Sequence, residues 1–148
     1  MKGKAKPMKP KDALWRDYVN AYDIEVPVER IDEEYTLICA DMKHRMRYDQ
    51  MSGGTMHVFP DIELAEQEDE LRAAARFEAK EPLVLRDLAK KLDVVVTYEE
   101  LLAEAEAMAK RQSTTVNELK RFFGDDLALL ERDVREEKIR DWACSQIA

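Results

Sequence analysis

Only four glycines and five prolines punctuate these 148 residues, too few for a turn-dense β architecture. Aromatic residues are equally thin at 7%, whereas charged residues reach 38%, a balance that favours helices with broad solvated faces. No apolar run approaches the length of a membrane span, and the basic start is not followed by an apolar segment of the secretory kind. A cytoplasmic protein is expected. Cys39 and Cys144 are the two cysteines; far apart on helical patterns, they read as two separate thiols, with a structural disulfide the lesser reading.

Chemistry is scarce as well. His44 and His57 have no Cys or His partner at metal-ligand spacing, so they read as surface or partly packed histidines and no metal site is expected. Gly53-Gly54 lacks the following Lys-Ser/Thr of a phosphate loop. No nucleophile–base arrangement emerges, so neither an enzyme nor a cofactor is expected.

What is present is uneven charge. Residues 1–11 hold five lysines and no acid, leaving the rest of the chain at −13 against −8 for the whole. An acidic body argues against nucleic acid as the main partner, because phosphate binding needs a basic surface. The lysine-rich tail could touch RNA or a membrane surface, but a solvated, disordered end is the expectation for a short segment without aromatics.

The chain also repeats itself. At an offset of 70, Asp23, Ile24, Val26, Glu29, Ile31 and Glu34 recur as Asp93, Val94, Val96, Glu99, Leu101 and Glu104. The echoed carboxylates sit before or in the first turn of a helix, where they meet its dipole and free N–H groups; this reading outranks an acid/base pair. Before the first copy, Asp12 is expected to cap a helix through about Ala21. After it, Pro27 suits a first helical turn, and Val28, Ile31, Tyr35, Ile38, Met42 and Met46 form one stripe to about Asp49. Ser52-Gly53-Gly54 breaks that helix. Pro60 or Asp61 opens the next, carrying Leu64, Leu71, Ala74, Ala75, Leu85, Leu88 and Leu92, with Pro82 expected to kink or divide it. Val94-Val95-Val96 reads as a buried joint rather than a strand. Thr97 with Glu100, and Thr115 with Glu118, match the capping-box spacing. Gly124 should end a short helix, and Asp125 or Asp126 should start the last one, with Leu127, Leu130, Val134 and Ile139 or Trp142 facing inward. Ile139 and Trp142 should anchor it. The expected fold is all-α, with two tandem helical-hairpin arms: residues 1–11 a tail, arm 1 about 23–92, arm 2 about 93–148.

Three segments carry a family likeness: DIEVPVERIDEE, LRAAARFEAKEPLVLRDLAKKLDVVVTYEELLAEAEAMAK and VNELKRFFGDDLALLERDVREEKIRDW. In this order they resemble the C-terminal domain of trigger factor, a ribosome-associated bacterial chaperone, over residues 12–148. The resemblance implies an all-helical domain with two arms on a helical body that cradles unfolded or nascent polypeptides. The family's ribosome-docking domain and its peptidyl-prolyl isomerase domain have no counterpart in these residues, so a free-standing cradle without direct ribosome docking is expected. The MSGGTMHVF stretch and Pro82 depart from the commoner family pattern, which bears on the shape of the first arm.

A surface that accepts many sequences must expose apolar area without one fixed shape, and methionine suits this through its flexible, polarizable side chain. Candidate client contacts are Met42, Met46, Met51, Met56, Val58 and Phe59 around the first hairpin, with Phe122 and Phe123 in the second arm. Packing within the hairpin competes with client contact for Met42 and Met46, which share the helical stripe. Phe122 and Phe123 are adjacent and cannot both point inward. The reading is an ATP-independent holdase-type chaperone; the alternative is a helical adaptor or homodimeric scaffold for one specific partner.

Overall fold

The computed structural model describes residues 10–54, 57 and 59–147; most of the lysine-rich tail, with Met56 and Val58, lies outside them. The described residues form α1 (Lys11–Ala21), α2 (Val28–Met51), α3 (Pro60–Glu66), α4 (Glu68–Leu92), α5 (Tyr98–Gln112), α6 (Val116–Phe123), a short 3-10 turn (Ala128–Leu130) and α7 (Glu131–Ile147). No strand occurs among them, and the fold is all-α. Among the described residues no helix is long and apolar enough to cross a membrane.

The chain divides into two compact units, Val19–Val84 and a second made of the residues up to Tyr18 with those from Leu85 onward. The division falls inside α1 and α4, whereas the sequence echo counts its arms from the joints before α2 and α5.

In the Val19–Val84 unit, α2 lays its stripe against α3 and the start of α4. Met46, Leu64 and Leu71 are buried together, with Tyr35, Ile38, Cys39 and Met42 packed around them. Arg72 lies 4.2 Å above the Tyr35 ring, a cation–π contact, while its Nε donates to Glu68 at 3.0 Å. Gly53 and Gly54 end α2 by a Schellman closure. Gly53 takes the left-handed φ of +79°, and the N–H groups of Gly53 and Gly54 return to the Gln50 and Asp49 carbonyls at 3.2 and 2.8 Å. The buried Lys80 ammonium donates to the Asn20 carbonyl at 3.1 Å, satisfying one of the last carbonyls of α1. Burial pushes the pKa of Lys80 down, and the charge of Arg76 acts in the same direction.

Two local expectations move here. The helical pattern divides at Gln67, not at Pro82, which sits inside an unbroken α4. Glu68, Asp69 and Glu70 explain the start: three carboxylates in a first turn suit the positive end of the helix dipole. Pro82 is tolerated because it lies on the exposed side of α4 and removes one donor, whose acceptor belongs to the equally exposed Glu78, within reach of water. Asp12 lies within the first turn of α1 rather than capping it, since Leu14 bonds back to the Pro10 carbonyl.

In the other unit, α5 turns Leu101, Ala105 and Ala109 toward Leu119 of α6 and toward Leu127 and Leu130, with Val96, Val116, Phe123 and Val134 packed around this core. Alanine at two of the three α5 positions lets neighbouring backbones come close. Thr97 and Glu100 form the complete capping box. At Thr115 the hydroxyl accepts from the Glu118 N–H at 3.2 Å, while the Glu118 carboxylate turns to Arg121, 3.6 Å away. Gly124 closes α6 at φ +91°. The last α-helix begins at Glu131 rather than at Asp125 or Asp126. Asp126 instead accepts from the Ala128 N–H at 3.1 Å, and Leu127 takes φ +59° while fully buried. That conformation costs a leucine about 1–2 kcal/mol, which complete burial of the side chain, about 1.5–3 kcal/mol, offsets.

The start of α1 is fastened to α7. Lys11 pairs with Glu137 and Asp141, Cys144 Sγ donates to the Lys11 carbonyl at 3.6 Å, and Trp15 stacks on Tyr18. Ile139 is buried as expected of an anchor. Trp142 is only partly so: it remains 37% exposed, edge-on to the Tyr18 ring at 6.3 Å. Val95 of the joint is exposed rather than buried, while its neighbours Val94 and Val96 are half-buried and Val96 packs on the α5 core.

Candidate functional site

Surface chemistry sorts the eight candidate contacts. Met46 is buried in the hairpin core and Met42 packs beside it, so neither offers much apolar area to a ligand. Phe123 packs on the α5–α6 core while its neighbour Phe122 is 75% exposed, the split that adjacent helical positions impose. Met51 is 81% and Phe59 63% exposed. Met56 and Val58 lie outside the described residues.

The region between α2 and α3 is tied from within. Gln50 Nε2 donates to the His57 carbonyl at 2.6 Å. The His57 ring places Nδ1 2.7 Å from Glu63 Oε2 and Nε2 3.9 Å from Asp49 Oδ2. Lys43 reaches Asp61 at 2.7 Å, and that carboxylate holds the lysine above its ordinary pKa range. Ion pairing thus engages the polar groups around Met51 and Phe59, leaving those apolar side chains facing solvent. His57 proves to be a bracing residue, and no group of three or more His, Cys, Asp or Glu side chains among the described residues could hold a metal ion.

Further exposed apolar side chains belong to the same unit. Leu37 and Tyr48 are exposed on α2, and Ile62 on α3. The sequence carried a signal for the first two: eleven residues apart, they share one helical face, opposite the stripe that was read as core. Ile62 follows Pro60 at the opening of α3 and had no such signal.

The other unit contains a cleft of 690 Å³ between α5 and α7, lined by Glu100, Glu104, Asp133, Glu136 and Glu137 together with Arg111, Lys138 and Arg140. Its charges answer one another. Arg111 reaches Glu104 at 3.2 Å, Lys138 reaches Glu100 at 2.8 Å and Arg140 reaches Glu137 at 3.5 Å. The hydrogen bond from Lys138, followed by that from the Thr97 N–H, holds the Glu100 carboxyl below the usual glutamate range. Of these pairs Lys138–Glu100 joins α7 to α5, while the other two lie within one helix each.

A helical chain with exposed apolar side chains and no catalytic constellation among its described residues fits a binding module. The family model for the C-terminus of bacterial trigger factor matches residues 1–145. The chain belongs to that family. A trigger factor from Brevibacillus brevis (strain 47 / JCM 6285 / NBRC 100599) is 26% identical over 121 residues, covering 80% of this chain. The chain spans 28% of the length of that relative. No solved structure matches.

Proposed function

We propose that this chain is an ATP-independent, holdase-type chaperone module that binds unfolded or nascent polypeptides and has no catalytic step. The observation that carries the reading is the exposure of Met51, Phe59 and Phe122. Large flexible apolar groups facing water suit weak contact with many sequences. Each such side chain covered by a client contributes about 1.5–3 kcal/mol, so three contribute roughly 5–9 kcal/mol. Association itself costs at least about 4 kcal/mol, which leaves at most about 5 kcal/mol and affinities no tighter than roughly the submillimolar range. Contacts that weak dissociate quickly, and release needs no nucleotide cycle. The acidic body keeps such a protein soluble and favours clients with basic segments over nucleic acid. Cys39 and Cys144 are free thiols, which supports a reducing, cytoplasmic setting.

The test is suppression of aggregation of several unrelated unfolded proteins by the wild-type chain and by the Met51→Ser/Phe59→Ser/Phe122→Ser variant. Protection of several clients, reduced in the folded variant, supports the proposal. Equal protection by both would place the clients elsewhere on the surface. Failure to protect any client, with saturable binding to one folded protein, would replace the reading with an adaptor for that partner.

A further inference from the structure

The cleft between α5 and α7 keeps an excess of negative charge. Five carboxylates line it against three basic side chains, and each base is engaged by one of the pairs described above. Of the two carboxylates left over, Glu136 reaches Arg132, 3.6 Å away and outside the cleft lining. Asp133 has no ion-pair partner among the described residues. Asp133 also begins a row. With Glu137 and Asp141 it recurs at four-residue steps along α7, about 6 Å apart.

One lysine already sits on that row. Lys11 pairs with both Glu137 and Asp141, and Glu137 is itself part of the cleft wall. The chain before Lys11 therefore joins the fold at the lip of the cleft. Residues 1–9, outside the described residues, carry Lys2, Lys4, Lys6 and Lys9 and no acid. From this arrangement we infer that residues 1–9 dock in the α5–α7 cleft of their own chain, Lys9 reaching Asp133 and Glu137, and the earlier lysines reaching Glu136 and the carboxylates of α5.

Spacing and reach support the assignment. Alternate residues of an extended chain lie about 6.6–6.8 Å apart on one side, so the step from Lys11 to Lys9 matches one step of the carboxylate row. Lys6 and Lys9 each precede a proline, a position that disfavours helix and favours extended backbone. Nine extended residues span up to about 30 Å, more than the roughly 25 Å length of α7. Single exposed ion pairs hold little, but a short tether supplies an effective concentration of about 1 mM, which a free basic segment lacks. The same carboxylate row repels phosphate, which disfavours nucleic acid or an anionic lipid surface as the partner of these lysines. The docking is independent of the chaperone reading. If that reading holds, the segment screens the cleft from basic stretches of clients.

Binding of a fluorescent peptide with the sequence of residues 1–9 to the full chain, read by anisotropy at low salt, tests this. The Lys2→Ser/Lys4→Ser/Lys6→Ser/Lys9→Ser variant should bind the peptide, and the wild-type chain should bind it at least about tenfold more weakly because its own segment competes. Adding Asp133→Lys/Glu136→Lys to the lysine variant should abolish binding. The milder Asp133→Asn/Glu136→Gln pair should weaken it with helicity unchanged, and raised salt should weaken it further. Equal binding by wild type and the lysine variant overturns the inference. So does a lysine variant that does not bind, or binding indifferent to both α7 pairs. Carbodiimide coupling of the wild-type chain adds a direct readout. Amide links from Lys4, Lys6 or Lys9 to carboxylates of α5 or α7 within one chain are expected; links only between copies, or only to residues 19–84, overturn the inference. No client enters either experiment, so the outcome is read separately from that of the chaperone reading.

Discussion

The joint before α2 and the joint before α5 share a burial pattern, but Asp93 takes a φ of +49° that its counterpart Asp23 does not, and the two are fastened differently. From 21 to 29 and from 91 to 99 the residues alternate between exposed and half-buried in the same order, and the helices begin at the echoed positions Val28 and Tyr98. In the second copy, Thr97 and Glu100 close a capping box. Lys138 then reaches in from α7, donating to the Val95 carbonyl at 2.7 Å and to Glu100 at 3.0 Å. In the first copy, Pro27 stands at the N-cap with no side-chain bond, and Arg30 occupies the place of Glu100, pairing with Glu33 at 3.4 Å. The repeated residues set which side chains of the joint turn inward. Residues outside the repeat decide how tightly each joint is held.

The largest expected effect contrasts the two cores that follow. Leu130→Ala opens a cavity in a fully buried site of the α5 core and should cost about 3–5 kcal/mol; Met46→Ala, in the smaller α2 cluster, should cost nearer about 2 kcal/mol. Urea unfolding with unchanged slope checks both, and equal costs would remove the contrast. Trp142→Ala comes next. The ring is more than a third exposed, so the loss should be about 1–2 kcal/mol rather than the 3–5 kcal/mol of a buried aromatic.

At the joints themselves, Thr97→Ala should cost about 1 kcal/mol through the lost cap. Pro27→Ala has no side-chain bond to lose and should stay within about 0.5 kcal/mol of wild type. If the two substitutions cost the same, the fastening described above is not what distinguishes the copies. Acid sharpens the point. The carboxyl of Glu100 is held below its ordinary value of 4.5 in the folded chain. Its contribution is therefore fully present above pH 4.5, and it fades as pH falls further, because the unfolded chain takes up the proton first. The stability gap between wild type and Glu100→Gln should close below pH 4.5; a gap that persists unchanged would contradict the Lys138 contact. The smallest effect is expected from Met51→Ser/Phe59→Ser, which should leave the melting temperature nearly unchanged, since neither side chain is packed.

Several elements were legible without the fold because their signals are local. A helix start at 28 or 98 is written in the residues that enter it, and the Gly53-Gly54 closure follows from what only glycine does cheaply at positive φ. The break at Gln67 was also local, in the acidic run after it, but Pro82 made the louder signal. A proline on a solvated helix side costs one hydrogen bond that water can replace, so its position decided less than its identity suggested.

The candidate surface was only half legible. Met46 and Met51 belong to one helix and one residue type, yet one is core and the other faces water. The adjacent pair Phe122 and Phe123 had to divide, but which of the two turned inward depended on where Leu119, Leu127 and α5 came to lie. The sequence by itself determined the all-helical class, the Thr97 and Thr115 caps and the Gly53-Gly54 closure, because hydrogen bonding and backbone preference act over a few residues. Only the tertiary structure decided which apolar side chains were left outside, because burial depends on what packs against each face, and that covering comes from distant segments of the chain.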